Sequence, residues 1–544
     1  MRANLSIEAI LMSEGPCLSS RLRARLERAG VSAAAARQRI ARSNAGVKRL
    51  KGLVFPRGVR FLYHDSSFGS KQYWDALIRD IGEASPAYAA AVAALEARGG
   101  IVPRGYWDVV SGSPLRQRRQ VASEIVLERL LAIGLVELVD LIGVGPCVAL
   151  NGYFSRRDDA ALKARLTTEK ILLLAVRDWA RKLGVASYDS IAVRDDAGSL
   201  PRVGTFAWDL TGPSYLRAMV RRGQDGRLKP GFLVCDVVSG EGVGAAAVSA
   251  FIRKCELMAG MKRMPPLFPI FIADRFSRDA FNLGRAHGVM AATPGTLFGR
   301  DVAVGLAALL RTLTKAAAVA VQRPELIGEL FDKLGRIEGA AANLRGAMFE
   351  MLVGHCVVKM DDGSIDIGKK IVDLETGERT EIDVFRVREY RDVWSYECKA
   401  HQPGEIVGLA LIEKWLAEKV PLIHRVLRRE SRFRETSLHF EFWTCGSFSE
   451  EALMRLENAA AHTRKYTLGW KDGAAVRAYA ARVRPKAVAE MLDQHFFAHP
   501  LAGLEGGIDL APPTISDIDL GDLFDGDGAD PDDRGDLVGL RTML

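Results

Sequence analysis

Glu381-Ile382-Asp383-Val384, followed by Trp394-Ser395-Tyr396-Glu397-Cys398-Lys399, is the stretch on which the fold of this chain turns. Both pieces are rich in β-branched and aromatic residues, which predicts two β-strands. Between them lies a charged hairpin region with Arg386, Arg388, Glu389, Arg391 and Asp392. Successive strand side chains point to opposite faces, so Glu397 and Lys399 share one face and Trp394, Tyr396 and Cys398 take the other. Asp383 falls on the neighbouring strand. Two acids and one amine therefore converge. A charged face so close to a core strand usually needs a ligand or partner. The plainer alternative is a charged hairpin with a surface Glu–Lys pair.

This set suits phosphodiester hydrolysis. Carboxylates hold Mg²⁺ or Mn²⁺, which polarises a phosphate and lowers the pKa of a bound water. An ammonium orients that water or stabilises developing charge. Oxygen donors favour these cations over zinc. A further acid, Glu350, lies between Phe349 and Met351 on a helix expected over 343–353. A helix over 407–418 and a strand over 439–444 complete a plausible α/β core.

At these residues the sequence resembles the PD-(D/E)XK, or restriction-endonuclease-like, superfamily: a helical Glu, an Asp on one strand, and Glu-x-Lys on the next. The matching residues are Glu350, Asp383 and Glu397-Cys398-Lys399, with thirteen residues between Asp383 and Glu397. The resemblance implies that Asp383 and Glu397 bind metal, that the Cys398 carbonyl helps, that Lys399 assists the water, and that Glu350 is an extra ligand or base. Gln402 falls where some branches carry a helper Gln. Ile382 stands where the family's Pro is often found. The expected nuclease domain is 346–500, with an α/β/α core.

Residues 156–305 show the same order of parts. Glu169 lies on a helix over 167–183, Asp209 ends a strand over 206–210, and Asp236 sits in a strand over 231–238. Helices over 245–261 and 277–287 alternate with strands over 267–273 and 289–292, which suggests a sheet covered by helices. Val238 takes the position of Lys399. The region thus resembles a degenerate copy of the same fold; the alternative is an unrelated α/β domain with incidental acids. Glu169, Asp209 and Asp236 are not read as catalytic.

Residues 1–70 carry helices expected over 5–13, 18–29 and 32–43, then strands over 51–55 and 59–63 joined by Pro56-Arg57-Gly58. This resembles a winged helix-turn-helix. The resemblance puts Arg37, Arg39 and Arg42 on or beside the groove-facing helix, and Arg57 and Arg60 in the wing near phosphates. A solvated basic helix pair is the plainer reading. Residues 71–155, with helices over 71–81, 86–98 and 117–133 and strands over 135–139 and 147–150, form a second winged-helix-like or helical domain. Residues 306–345 read as a helical linker, and 501–544 as an acidic, disordered tail.

The whole chain has 544 residues, a net charge of +8 and 48% hydrophobic residues, enough for several buried cores. A basic balance favours a polyanionic partner. Its seven cysteines are scattered without a CxxC, which argues against a disulfide framework or structural zinc and fits a reducing cytoplasm. No secretory signal is expected, since Glu8 and Glu14 interrupt the start. The most apolar stretch, 305–321, contains Arg311 and Lys315, so no membrane span is expected. The run 363–370 nearly spells a P-loop, but Lys370 replaces the required Ser/Thr, and it reads as a hairpin. The histidines share no metal spacing.

The expectation is a multidomain, Mg²⁺-dependent endonuclease that cuts DNA, guided by its N-terminal modules. Family analogy points to bacterial restriction or anti-phage defence. A homodimer or a regulatory partner protein is an open means of restraint. The alternatives are a non-catalytic DNA-binding regulator that keeps a nuclease fold, and a nuclease for RNA or branched DNA in repair.

Overall fold

The computed structural model describes residues 6–43, 46–53, 55–152, 158–187, 189–194, 200–222, 228–240, 242–261, 264–335, 337, 340–389, 391–401, 405–484 and 486–497. Gln402 and the acidic tail 501–544 lie outside the described residues. Residues 1–498 form one compact unit.

At the N-terminus, α1 (Ile7–Glu14), α2 (Ser19–Arg28) and α3 (Ala33–Ala41) accompany a sheet of β1 (Cys17–Leu18), β2 (Val47–Arg49) and β3 (Phe61–His64). Ser6 and Ser32 cap α1 and α3 by accepting from Ala9 and Ala35 backbone N–H groups. The order is β1-β3-β2, with Val47 opposite His64. The expected strand over 51–55 is a correction: the partner of β3 lies earlier, at Val47–Arg49. Gly52, at φ +95°, breaks the extended run. Leu53 and Phe55 then turn into the core of the next unit. Pro56–Gly58 does form a tight turn.

That next unit holds α4 (Lys71–Ala84), α5 (Pro86–Glu96) and α6 (Ser123–Ala132), and a sheet of β4 (Ile101–Pro103), β5 (Val136–Leu141) and β6 (Gly145–Leu150). The helix expected from 117 starts later, at Ser123; Arg119, at φ +65°, is incompatible with helix.

Two five-stranded sheets follow. The first is preceded by α7 (Asp159–Lys182). It contains β7 (Ala192–Val193), β8 (Leu210–Ser214) and β9 (Gly231–Val238), then α8 (Ala245–Ala259), β10 (Leu267–Ala273), α9 (Arg278–Ala286) and β11 (Met290–Ala292). The strand expected over 206–210 is also corrected. Phe206–Ala207 is a separate short strand, and Asp209 sits just ahead of β8.

Helices α10 (Arg300–Thr314), α11 (Ala316–Gln322) and α12 (Glu325–Leu334) lead to α13 (Ala340–Asp361). The second sheet contains β12 (Ser364–Val372), β13 (Arg379–Arg388) and β14 (Asp392–Lys399). Then come α14 (Leu409–Lys414), a π-helical turn (Trp415–Lys419), α15 (Val420–Arg429), β15 (Ser437–Thr444), α16 (Glu450–His462) and β16 (Thr467–Lys471). The P-loop-like run is β12, paired along β13.

Both sheets have one plan. A long helix comes first. Strands one to three pair antiparallel, strand four runs parallel to three, and strand five parallel to four. Helices make both parallel crossovers, as such connections require.

Residues 306–345 are not a linker in the mechanical sense. Leu306, Leu309, Ile327, Leu330 and Leu334 are buried in one apolar core. That core also holds Val176, Leu233 and Ile270 from the first sheet and its helix, and Met348, Val384 and Tyr396 from the second. Each such side chain contributes about 1.5–3 kcal/mol on burial. Lys163–Glu381 and Asp159–Lys370 ion pairs add polar ties across the same seam, and Asp140 on β5 pairs with Arg379 on β13.

Candidate active site

The register of β13 and β14 sets the geometry. Val384 pairs with Tyr396, so one step further brings Asp383 level with Glu397. The Cys398 N–H donates to Asp383 Oδ2 at 2.7 Å, which fixes that carboxylate against the next strand. Lys399 Nζ lies 2.6 Å from Glu397 Oε1 and 3.6 Å from Asp383 Oδ2, and donates to the Cys398 carbonyl at 3.3 Å. The expected trio is therefore brought together, on the face that period-two alternation assigns to it.

Lys419 was not anticipated. It closes the π-helical turn and donates to both Glu397 oxygens, at 2.8 and 2.6 Å. The helix expected over 407–418 stops one residue short of it. An extra residue in the turn swings Lys419 towards the sheet, and no i, i+4 pattern announces that.

Burial, reinforced by the negative charge of Glu397, pushes the Asp383 carboxyl up to about 6. Burial also drives Glu350 well above the carboxylate range, helped by Asp383 and Glu381 and opposed by Lys399 and Lys163. Burial works against charge on Lys399 as well, but Asp383 and Glu397 hold its ammonium above its ordinary range. Glu350 is half-buried on α13 and joins the cluster through the field of its neighbours.

Two facing carboxylates and a backbone carbonyl are the hard-oxygen donors a Mg²⁺ or Mn²⁺ ion takes, and a cation would offset the burial and the like charge of Glu397 that raise Asp383. The residues fit such an ion through Asp383, Glu397 and the Cys398 carbonyl. Among the described residues no group of three or more His, Cys, Asp or Glu is arranged around a metal position. Glu397 is presently neutralised by Lys399 and Lys419.

The first sheet offers a direct comparison. Leu210 pairs with Cys235, so Asp209 is level with Asp236, as Asp383 is with Glu397. The Val237 N–H donates to Asp209 Oδ2 at 2.8 Å, matching the Cys398 bond. Asp236 lies beside Phe271 on the parallel neighbour, and Glu397 beside Phe442. Lys254 on α8 holds Asp236 at 2.6 Å, as Lys419 holds Glu397. By this register Val238 occupies the place of Lys399.

The surroundings differ. Glu169 and Asp209 are fully buried and Asp236 is 3% exposed. Arg194 bridges Glu169 (2.6 Å) and Asp209 (2.8 Å), while Arg165 takes the other oxygen of Glu169 at 3.1 Å. Arg98 donates to the Val237 carbonyl at 3.3 Å and approaches Asp209 at 4.0 Å. That carbonyl is the counterpart of Cys398's, so a guanidinium stands where the second sheet presents its oxygen donors. Burial would raise Glu169, but Arg165, Arg194 and Arg98 hold it down at about 2. Cations of the chain itself saturate these acids.

The arginines of the first 70 residues divide. Arg37, Arg57 and Arg60, joined by Arg23 and Arg49, line a groove of about 460 Å³ between α2, α3 and the Pro56–Gly58 turn. Arg39 and Arg42 are exposed but do not line it. Arg49 also donates to the carbonyls of Ile40 and Ala41, closing the end of α3. No helix among the described residues is long and apolar enough to cross a membrane.

Comparison with protein-family models, with curated proteins and with solved structures finds no match for this chain.

Proposed function

We propose that the chain is a metal-dependent nuclease of the PD-(D/E)XK type, cutting DNA at Asp383, Glu397 and Lys399. The observation that carries this reading is the lysine set between two facing carboxylates at 2.6 and 3.6 Å. The first sheet supports it by contrast, because the same plan there, without the lysine, has its acids neutralised by arginines.

Asp383, Glu397 and the Cys398 carbonyl would hold a divalent cation, which supplies charge stabilisation at the phosphate and acidifies water. The chain's own groups do the rest. Lys399, kept cationic by its two acids, orients the attacking water and offsets negative charge that develops on the phosphate. Lys419 holds the Glu397 carboxylate in place. Glu350 stands behind Asp383 as a helper. The groove of Arg23, Arg37, Arg49, Arg57 and Arg60 suits phosphate contacts that position nucleic acid without reading its sequence. A place in restriction or defence against phage follows from the family resemblance alone.

The test is a cleavage panel of duplex, single-stranded, branched DNA and RNA with Mg²⁺ or Mn²⁺. Cleavage is expected to need the metal, to stop with a chelator, and to be lost in Asp383→Asn. Binding to DNA without cleavage of any substrate would favour the alternative, a regulator that keeps a nuclease fold.

A further inference from the structure

The ladder between β13 and β14 runs from Arg388–Asp392 to Val384–Tyr396 and stops there. Asp383 is the first residue past its end. What ties it to β14 is a side-chain bond, the Cys398 N–H on its carboxylate. Over Arg379–Ile382 the strand pairs with β12 instead, as a two-stranded ribbon. Such ribbons are marginal by themselves, so the place of Asp383 opposite Glu397 depends on what holds this one. Helix α7 does so. Its Asp159 and Lys163, one turn apart, pair with Lys370 and Glu381, which face each other across β12 and β13. Spacings at i, i+4 on a helix and across a strand pair are both about 5–6 Å, so the two contacts close together. The Glu381 carboxylate has little room to turn away. A Cβ at Gly143, on the β5–β6 turn, or at Gly368, on β12, would come within 2.9 Å of one of its oxygens. Glu381 lies two residues before Asp383, and the charges of both reach Glu350. The far tip of the ribbon is tied separately: Arg425 and Arg429 on α15 each meet Asp373 at 2.6 Å.

We propose that Lys163, with Asp159, is a positioning residue: α7 holds the ribbon so that Asp383 and Glu397 keep the spacing a divalent cation needs. That helix belongs to the first sheet, whose own acids are taken up by arginines. The first module would thus serve the second site as a scaffold. The inference rests on reading Asp383 and Glu397 as a metal pair, and not on cleavage itself. Groups behind a metal's ligands orient them, and losing such a group costs affinity. Charge alone acts the other way. Lys163 is a cation near an acid cluster, so as a bystander it would repel the metal, and its removal would tighten binding. The two accounts therefore differ in sign.

The test is calorimetry of Mn²⁺ binding to the full chain without nucleic acid, beside Tm. The Mn²⁺ that counts is the one lost in Asp383→Asn. Lys163→Met keeps the stem and removes the ammonium. It should weaken that binding about tenfold, the lower end for an outer group that orients a ligand. Lys163 and Glu381 are 30% and 23% exposed, and such pairs add little to stability, so Tm should hold. Lys163→Arg should restore the affinity, because a cleft of about 630 Å³ beside the pair leaves room for a guanidinium. Unchanged or tighter Mn²⁺ binding in Lys163→Met would overturn the assignment. So would equal weakening in Lys163→Arg, or Mn²⁺ binding that Asp383→Asn leaves intact. A chain that shows the expected pattern yet cuts no nucleic acid would sink the nuclease reading and still support this one.

Discussion

Lys399 and Val238 occupy one register position in two sheets of the same plan, and the charges around them follow that exchange. At the second sheet two lysines face Glu397, and Asp383 is left with a raised carboxyl. At the first, Arg165, Arg194 and Lys254 take the acids. Lys419→Met should therefore lower cleavage by about 10–100-fold, less than removal of Lys399, because it takes away a support for Glu397 and not the group facing the phosphate. A kinetic comparison of the two variants checks this. Arg194→Met should destabilise the fold by about 3–5 kcal/mol, since it takes from buried Asp209 its close cation and leaves buried Glu169 with Arg165 alone at contact distance. Urea unfolding reads that change. The pH sign follows from Glu169, held at about 2 against an ordinary 4.5. A depressed carboxyl stabilises fully above its unfolded value and gives up that contribution as pH falls through its folded one. Glu169→Gln should accordingly flatten the dependence of stability on pH below about 4.5; an unchanged acid limb would show that the network contributes nothing there.

At the scale of elements, the strand carrying Glu397 and Lys399 was legible because Trp394–Lys399 alternates apolar and polar residues, which leaves one assignment of faces even though this central strand is buried on both. Whereas the helix read over 5–13 took in Ser6, which caps α1, helix α3 was legible from its cap, Ser32. Lys419 was not, since a π-helical turn breaks the helical period that sequence reading relies on. The strand misplaced at 51–55 failed for a different reason: Leu53 and Phe55 are apolar because the neighbouring core needs them, not because they pair with β3. The basic groove was half legible. Arg37, Arg57 and Arg60 were expected, while Arg23 on α2 and Arg49 on β2 reach it only through tertiary packing. Replacing Arg37, Arg57 and Arg60 with Ala should weaken DNA binding at every sequence. It should also reduce the salt slope by about one for each phosphate no longer neutralised. Titrations at several salt concentrations would show this, and an unchanged slope would remove the groove from the binding surface.

In the whole molecule, the segment read as a linker fills the seam between the two sheets. Its leucines join one core with residues of both, while the other face of each sheet keeps an apolar core of its own. Composition cannot reveal such sharing, because an apolar helix looks the same whether it links or packs. The repeated plan gives the chain an internal control for its chemistry: one site with the lysine between its acids, one without. The most direct measurement is cleavage of the nucleic-acid panel with Mg²⁺ or Mn²⁺ by the full chain and by Lys399→Ala, with matched Tm. The account predicts metal-dependent cleavage by the first and a drop of at least about 100-fold in the second. Equal cleavage by both, or none by the unaltered chain on any substrate, would contradict it.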